Sequence, residues 1–125
     1  MRPIAPRTLL AAGALLCTTA LPAAEVDHYP GKKAETLEEA VSNLREYNGR
    51  VAELLEDDEL TSSDMARVHK LSYTIENALK RIRTELDTMA GTLETVHLGS
   101  ERGETGTVRN RGRMFLERSR TLIGD

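Results

Sequence analysis

Aromatic residues and cysteine are scarce in this sequence. Aromatic side chains make up 3% of the 125 residues, tryptophan is absent, and Cys17 is the only cysteine. Charged residues reach 30%, a composition that favours a small helical domain with a large surface over a β-sandwich or an α/β enzyme. One cysteine cannot form an internal disulfide, so packing alone must hold the folded chain together.

A surplus of positive charge is also missing. Lys and Arg number 17 and Asp and Glu number 20, which gives a formal charge of −3. Two of the arginines lie within residues 1–24, which contain no acid, so the remaining chain has 15 basic and 20 acidic residues. A nucleic-acid-binding protein needs a net basic surface that displaces counterions from phosphates, and we therefore predict no nucleic-acid partner.

Residues 1–24 have the pattern of a secretory signal peptide. The two arginines make a positively charged start, Thr8–Ala20 is mostly apolar, and small residues follow at Ala23 and Ala24. A membrane-spanning helix needs about 20 apolar residues in a row, and this run is shorter and interrupted. We therefore predict cleavage after Ala23 or Ala24, loss of the cysteine, no stable membrane anchor, and an exported protein that is periplasmic in location.

The rest of the chain is predicted to be a flexible leader followed by one helical domain. Residues 25–35 are polar and contain the turn signal Pro30-Gly31. In residues 36–125 the apolar positions recur at steps of three and four, the spacing of an amphipathic helix, and no segment alternates as a strand does. The predicted fold class is all-α, with three antiparallel helices in a bundle or a coiled-coil-like arrangement.

Start signals and glycines set the predicted helix bounds. Thr36 and Thr61 stand where N-caps are expected, each with an acid three residues later that can complete a capping box. Three glycines in Leu98–Gly106 predict a loop. The predicted helices cover residues 36–57, 62–97 and 107–123, and the second of these is the long central helix.

The central helix has the most regular pattern in the sequence. Ten positions follow one another in steps of three and four, and nine of them are apolar. A seven-residue repeat sustained over this length predicts a coiled-coil-like seam. The positions of this repeat are Met65, Val68, Ser72, Ile75, Leu79, Ile82, Leu86, Met89, Leu93 and Val96.

A family resemblance is carried by two stretches, Tyr29–Ala40 (YPGKKAETLEEA) and Leu60–Leu79 (LTSSDMARVHKLSYTIENAL). They resemble a family of small exported bacterial helical proteins that is described only as a domain of unknown function. The similarity covers nearly all of the chain that follows the signal segment. The resemblance implies an exported helical protein, and it implies no activity, ligand or catalytic residue.

The architecture is also loosely similar to that of periplasmic four-helix cytochromes. Those proteins hold haem with a Met on the first helix and a His on the last, or attach it covalently at a CxxCH motif. The first predicted helix of this chain has no Met, the third has no His, and no cysteine follows residue 24. We therefore predict no haem and no other cofactor.

Met65 and His69 are the best candidates for a metal site. They lie four residues apart on one helix face, and a thioether with an imidazole suits copper. Met65, however, stands where a hydrophobic staple is expected and His69 flanks the seam, so we favour a core Met beside a half-buried His. His97 lies 28 residues beyond His69, about 42 Å along a helix, which is too far to share a metal. No metal is predicted.

No motif marks an enzyme. The sequence contains no Gly-rich phosphate loop after a strand, no HExxH motif and no nucleophile elbow. The acidic run Glu56–Glu59 lacks the ligand spacing of a calcium loop and is predicted to be a solvated turn. We predict no catalytic residue and an exported, non-enzymatic helical protein that acts by binding or assembly. The alternative is a periplasmic helical bundle that binds copper or another small ligand.

The third predicted helix is basic, whereas the first is acidic. Five arginines stand against one acid in the third helix, and the segment Thr36–Leu60 has eight acids against two arginines. This contrast suggests that the arginines meet an acidic surface, either the first helix or an anionic partner, although two solvated faces are the simpler interpretation. The predicted interaction residues are Arg109, Arg111, Arg113, Arg118 and Arg120.

The helix lengths predict how the helices overlap. At 1.5 Å per residue the helices span about 36, 54 and 26 Å. Folding back at the short loops places Leu37 level with Ile82, and Leu122 level with residues 82–86. The first helix then covers one half of the central helix and the third covers the other half, so a single chain leaves an apolar stripe exposed.

A second copy of the chain would cover that stripe. With the two central helices antiparallel about a centre near Lys80, each half of the assembly would contain four helices. The acidic helix of one copy would lie beside the basic helix of the other. We therefore expect a homodimer, and the alternatives are another protein as the partner or a bend near Gly91 that compacts one chain.

Overall fold

The computed structural model describes residues 29–124, which form three α-helices. The helices are α1 (Leu37–Leu54), α2 (Ser62–Glu101) and α3 (Thr105–Ile123), and no strand occurs in this range. The predicted all-α fold with a long central helix is therefore confirmed. The predicted signal peptide lies outside the described residues, as do the first residues of the predicted leader. None of these three helices has the length and apolar character needed to cross a membrane.

Local hydrogen bonds explain where α1 and α2 begin. Thr36 Oγ1 accepts the backbone N–H of Glu39 at 3.1 Å, so the predicted N-cap of α1 is present. The Glu39 carboxylate accepts from the backbone N–H of Glu35 at 2.7 Å. At α2 the capping box is complete: Thr61 Oγ1 accepts from the Asp64 N–H at 3.2 Å, and Asp64 Oδ2 accepts from the Thr61 N–H at 3.1 Å. Both predicted helix starts are confirmed.

The helix ends differ from the prediction. α1 ends at Leu54 rather than at residue 57, because carboxylates near a helix C-terminus oppose the helix dipole and an acidic run follows. α2 continues to Glu101, so the predicted loop Leu98–Gly106 shrinks to residues 102–104. Gly103 makes this turn, and its φ of 69° lies in the left-handed region that favours glycine.

Gly99 was predicted to lie in the loop, and this prediction is wrong. The residue belongs to α2, where it allows close packing against α3. It is buried within α2, and a Cβ at this position would lie 3.2 Å from Thr107 Cγ2 on α3. The absence of a side chain therefore lets α3 fold back closely along α2. Gly106 was also predicted to be part of the loop, but it lies in the first turn of α3.

α1 and α3 lie along α2 one after the other. Leu37, at the start of α1, lines the same cleft as Glu85 near the middle of α2. From the other end, α3 folds back so that Arg118 reaches Glu85. The start of α1 and the end of α3 meet at this point, where the Thr121 hydroxyl donates to Glu38 Oε1 at 3.4 Å. This is the overlap that the helix lengths predicted.

The buried line of α2 does not coincide with the predicted seam. Its buried residues are Thr74, Ala78, Glu85, Met89 and Gly99. Only Met89 belongs to the seven-residue repeat. Three of these residues are small, which allows close approach to α2, and the large apolar side chains of the repeat other than Met89 lie to one side of the contact. The predicted seam is therefore only partly closed within one chain.

The described part of the predicted leader is hydrogen-bonded to α2. Asn77 Nδ2 donates to the carbonyl oxygens of Pro30 and Lys32, at 3.0 and 3.2 Å. The Lys32 N–H donates to Thr74 Oγ1 at 2.9 Å. Two side chains of α2 thus hold three backbone groups of a segment that is more than 40 residues away in sequence.

Buried polar side chains of α1 and α2 explain why residues 30–33 stay bound to the helices, because these side chains need the backbone groups of that segment as hydrogen-bond partners. Asn43 of α1 is 2% exposed and Thr74 of α2 is 1% exposed, and buried polar groups require hydrogen-bond partners. Asn43 Nδ2 finds its partner in the Lys33 carbonyl oxygen at 3.3 Å. Gly31 has a φ of 65°, and a Cβ there would lie 2.8 Å from the backbone nitrogen of Thr74. The chain can approach α2 this closely only because residue 31 is glycine.

Candidate interaction surfaces

Four large apolar side chains of α2 form an exposed row. Leu79, Leu86 and Leu93 are 49%, 48% and 47% exposed, and Met65 is 56% exposed. They are separated by seven or fourteen residues, so all four lie on nearly the same side of the helix. From Met65 to Leu93 this apolar row is about 42 Å long. Ser72 is the one polar residue at this seven-residue spacing, and large apolar side chains aligned in this way are typical of protein interaction sites.

The apolar row lies beside the packed side of α2. At 100° per residue, its mean direction is roughly 110° away from that of the buried line around Ala78. Val68, Ile75 and Ile82 lie between the two directions and are half-buried. The apolar surface of α2 therefore continues from the core around to solvent, and α1 and α3 cover only part of it.

A polar junction lies where the three helices meet. Glu85 is 10% exposed at its side chain, and its two carboxylate oxygens contact two arginines: Arg81 Nη2 at 2.8 Å and Arg118 Nε at 3.2 Å. Arg81 Nε is buried and has no hydrogen-bond partner among the described residues. One buried carboxylate thus bridges two cations, and it joins the end of α3 to the middle of α2.

Glu38 adds a second acid at the edge of this junction. A hydrogen bond from its own backbone N–H lowers the pKa of Glu38 below the ordinary value of 4.5. The hydroxyls of Thr36 and Thr121 and the charge of Arg118 act in the same direction, whereas partial desolvation opposes them. The first turn of α1 therefore presents a stabilised anion to the basic end of α3.

A cleft of about 310 Å³ opens beside the junction. Its charged lining comprises three acids (Glu38, Glu85 and Glu117) and two arginines (Arg81 and Arg118). Three acids against two arginines leave a net charge of only −1, and Glu85 is already paired, so the charges of the cleft do not select an ionic ligand.

The five predicted interaction arginines take different places on α3. Arg118 is half-buried and bound to Glu85, which lies on α2 and not on the first helix. Arg111 is exposed and donates to Met114 Sδ at 3.8 Å. The other three are exposed and have no ion-pair partner among residues 29–124; they are Arg109, Arg113 and Arg120.

Met65 and His69 are both exposed, so the prediction of a core Met beside a half-buried His is wrong. His69 Nε2 lies 3.3 Å from the Tyr73 hydroxyl, and the two rings meet edge to face with centroids 5.1 Å apart. His97 lies far along α2, 3.3 Å from Glu101. The described part of the chain contains no group of three His, Cys, Asp or Glu residues placed to hold a metal ion.

Sequence reasoning missed Glu85 and Asn77, although each organises a contact between distant segments. Both lie in the middle of α2, outside its apolar repeat. A single charged or amide residue at such a position is normally expected to be exposed to solvent, so the sequence alone does not single it out. The available signal was position: Glu85 lies one helical turn from Met89 and two turns from Ala78, both of which are buried.

The comparisons with known proteins give one match. No curated protein and no solved structure matches the chain. A family model with the description "Family of unknown function (DUF6746)" matches residues 1–124. The chain therefore belongs to this family of unknown function, as its resemblance in the two quoted stretches implied.

Proposed function

We propose that this protein is an exported, non-enzymatic helical protein that acts by binding another protein chain through the apolar row of α2. The observation that carries the proposal is the row itself: Leu79, Leu86 and Leu93 are each about half exposed at a seven-residue spacing. Leucines repeated in this way on a long helix pack into the side chains of a second helix.

The amount of exposed apolar surface supports this proposal. Among residues 29–124, five apolar residues are buried, whereas ten large hydrophobic side chains are exposed. Exposed apolar residues are normal when they are scattered singly, but several aligned on one side of a helix mark an interaction surface. Binding would remove the stripe from water, which favours the complex.

Export is proposed from residues 1–24 alone, and periplasmic location follows from the same pattern. The copper-binding alternative has weaker support. Its two residues, Met65 and His69, are both exposed to solvent, and no His, Cys, Asp or Glu cluster among the described residues completes a metal site.

Site-specific photo-crosslinking in the producing cells tests the proposed function. A photoreactive phenylalanine analogue would replace Leu86 or Leu93 in the row, and Thr88 or Thr95 on the opposite side of α2 as matched controls. We expect a discrete protein adduct from the row positions and none from the controls. Absence of an adduct at every row position, or equal adducts at the controls, would overturn the proposal.

A further inference from the structure

We infer, on the basis of the function proposed above, that the chain covering the apolar row is a second copy of this protein, with the two α2 helices antiparallel. In this arrangement the row of one copy lies against the row of the other. The contact has two-fold symmetry, so each surface patch meets its own equivalent.

The charge distribution along α2 favours an antiparallel pair. Residues 62–83 contain five basic and two acidic residues, whereas residues 84–101 contain four acids and no Lys or Arg. Parallel helices would place basic half beside basic half and acidic half beside acidic half. Antiparallel helices place each basic half beside an acidic half, which is the favourable arrangement.

The spacing of the row sets the register. If the two-fold axis passes near Ile82 and Arg83, Leu79 of one copy lies level with Leu86 of the other. Lys80 and Asp87 follow these two leucines directly, and both are exposed along the same edge of the row. Lys80 of one copy then lies within one helical turn of Asp87 of the other, and symmetry creates this contact twice.

The position of the row also fits a four-helix arrangement. Because the row lies roughly 110° around α2 from the buried line, a second α2 packs beside the first while α1 and α3 keep their places. Each half then contains α1 of one copy, two α2 helices and α3 of the other copy. α1 has four acids and two arginines, whereas α3 has five arginines and one acid, so the new neighbours carry opposite charge.

Sedimentation equilibrium of the purified protein, expressed with its own N-terminal segment, tests the second copy. We expect the wild-type protein to have the mass of two chains at micromolar concentration. Leu86→Glu places a charge in the row and should give the mass of one chain. Thr88→Glu adds the same charge on the opposite side of α2 and should leave the dimer intact. Far-UV circular dichroism establishes that each variant keeps its helices.

Charge reversal tests the antiparallel register. Lys80→Glu and Asp87→Lys each place like charges together twice, so each should raise the dimer dissociation constant by roughly tenfold. The double variant K80E/D87K restores opposite charges and should return to the wild-type value. A parallel dimer would behave differently, because each residue would lie beside the same residue of the other copy. The double variant would then still place like charges together and would not restore the wild-type dissociation constant.

The possible outcomes distinguish failure of the homodimer inference from failure of the proposed function. A wild-type monomer, or a dimer that Leu86→Glu leaves intact, would overturn the inference that a second copy covers the apolar row. If photo-crosslinking from Leu86 still captured a different protein in that case, the proposed function would stand without the homodimer. A wild-type monomer together with no adduct from any row position would overturn both. Failure of K80E/D87K to recover would overturn the antiparallel register.

Discussion

Arg118 Nε donates a hydrogen bond of 3.2 Å to Glu85 Oε2, and this contact joins the second half of α3 to the middle of α2. The same carboxylate lies 2.8 Å from Arg81 Nη2. The carboxylate is 10% exposed, whereas the two arginines are 37% and 34% exposed. Glu85 is therefore the charge that depends most on its partners, since water reaches both arginines but barely reaches the acid.

Glu85→Gln is expected to lower the free energy of unfolding by roughly 2 kcal/mol. The substitution leaves Arg81 and Arg118 close together without the anion between them, and solvent at the arginines keeps the loss below that of a fully buried pair. Urea unfolding followed by circular dichroism measures the change. Glu46→Gln is the matched control, because its contact with Arg50 at 3.7 Å is exposed and should contribute less than about 0.5 kcal/mol. Equal losses in both variants would contradict this role of Glu85.

The capping box of α2 predicts a dependence of stability on pH. Hydrogen bonds from the Thr61 hydroxyl and the Thr61 backbone N–H, with a smaller contribution from Arg67, lower the pKa of Asp64 below its ordinary value of 3.8. A lowered pKa in the folded state means that the ionised form is stabilised above pH 3.8, and that this stability is lost as the pH falls through the folded-state pKa.

Asp64→Asn should therefore be less stable than the wild type at pH 7, and the difference should shrink as the pH falls below about 4. Thermal or urea unfolding of both proteins across pH 2 to 7 measures it. Asp58→Asn serves as the control, because Asp58 lies exposed in the acidic run and caps no helix. A difference between wild type and Asp64→Asn that stays constant with pH would show that the carboxylate does not act through its charge.

Local patterns predicted the start of α2 because a capping box is decided within four residues. Thr61 and Asp64 are three residues apart, and the sequence alone is enough to place them in contact. The contact of Glu85 with Arg118 and that of Asn77 with Pro30 could not be predicted in this way, since these partners lie 33 and 47 residues away. Which side of a long helix meets a distant segment depends on how the whole chain folds back.

The apolar repeat of α2 is a second case in which a sequence pattern predicts a helix but not which of its residues meet distant segments. Its spacing correctly predicted a long helix with a continuous apolar surface, and the helix lengths correctly predicted where α1 and α3 lie along it. The repeat could not show that Thr74 and Ala78 would be buried while Leu79 and Leu86 stay half exposed, or that α3 would pack against Gly99. Hydrophobicity favours burial of the leucines, but close helix approach favours the small side chains.

The signal peptide prediction is tested by the N-terminus of the protein recovered from the cells. Cleavage after Ala23 or Ala24 would give a chain that begins at Ala24 or Glu25, and intact-mass spectrometry distinguishes the two. Leu15→Arg places a charge in the apolar stretch and should leave the chain uncleaved. Recovery of a wild-type chain that still begins at Met1 would contradict the prediction.

Two glycines of α2 should respond differently to alanine. Gly91 has open space around it, so Gly91→Ala should raise the free energy of unfolding by about 1 kcal/mol through helix propensity alone. Gly99 is buried, and the new methyl group would lie 3.2 Å from Thr107 Cγ2. Packing strain should cancel the gain there, and Gly99→Ala should be no more stable than the wild type. Equal stabilisation by the two substitutions, measured in urea, would show that α3 does not pack closely against Gly99.

Gly31→Ala is expected to detach the segment at residues 30–33 from α2 and to destabilise the protein by about 1 to 3 kcal/mol. The left-handed φ of 65° disfavours alanine, and its Cβ would lie 2.8 Å from the Thr74 backbone nitrogen, which cannot move without distorting α2. Gly49→Ala is the control with the opposite sign, since Gly49 is an exposed position in α1 with no atom within 4 Å and should gain up to about 1 kcal/mol. Hydrogen exchange at the Lys32 amide, which donates to Thr74 Oγ1, reports the detachment directly. Unchanged protection of that amide in Gly31→Ala would contradict the docked arrangement.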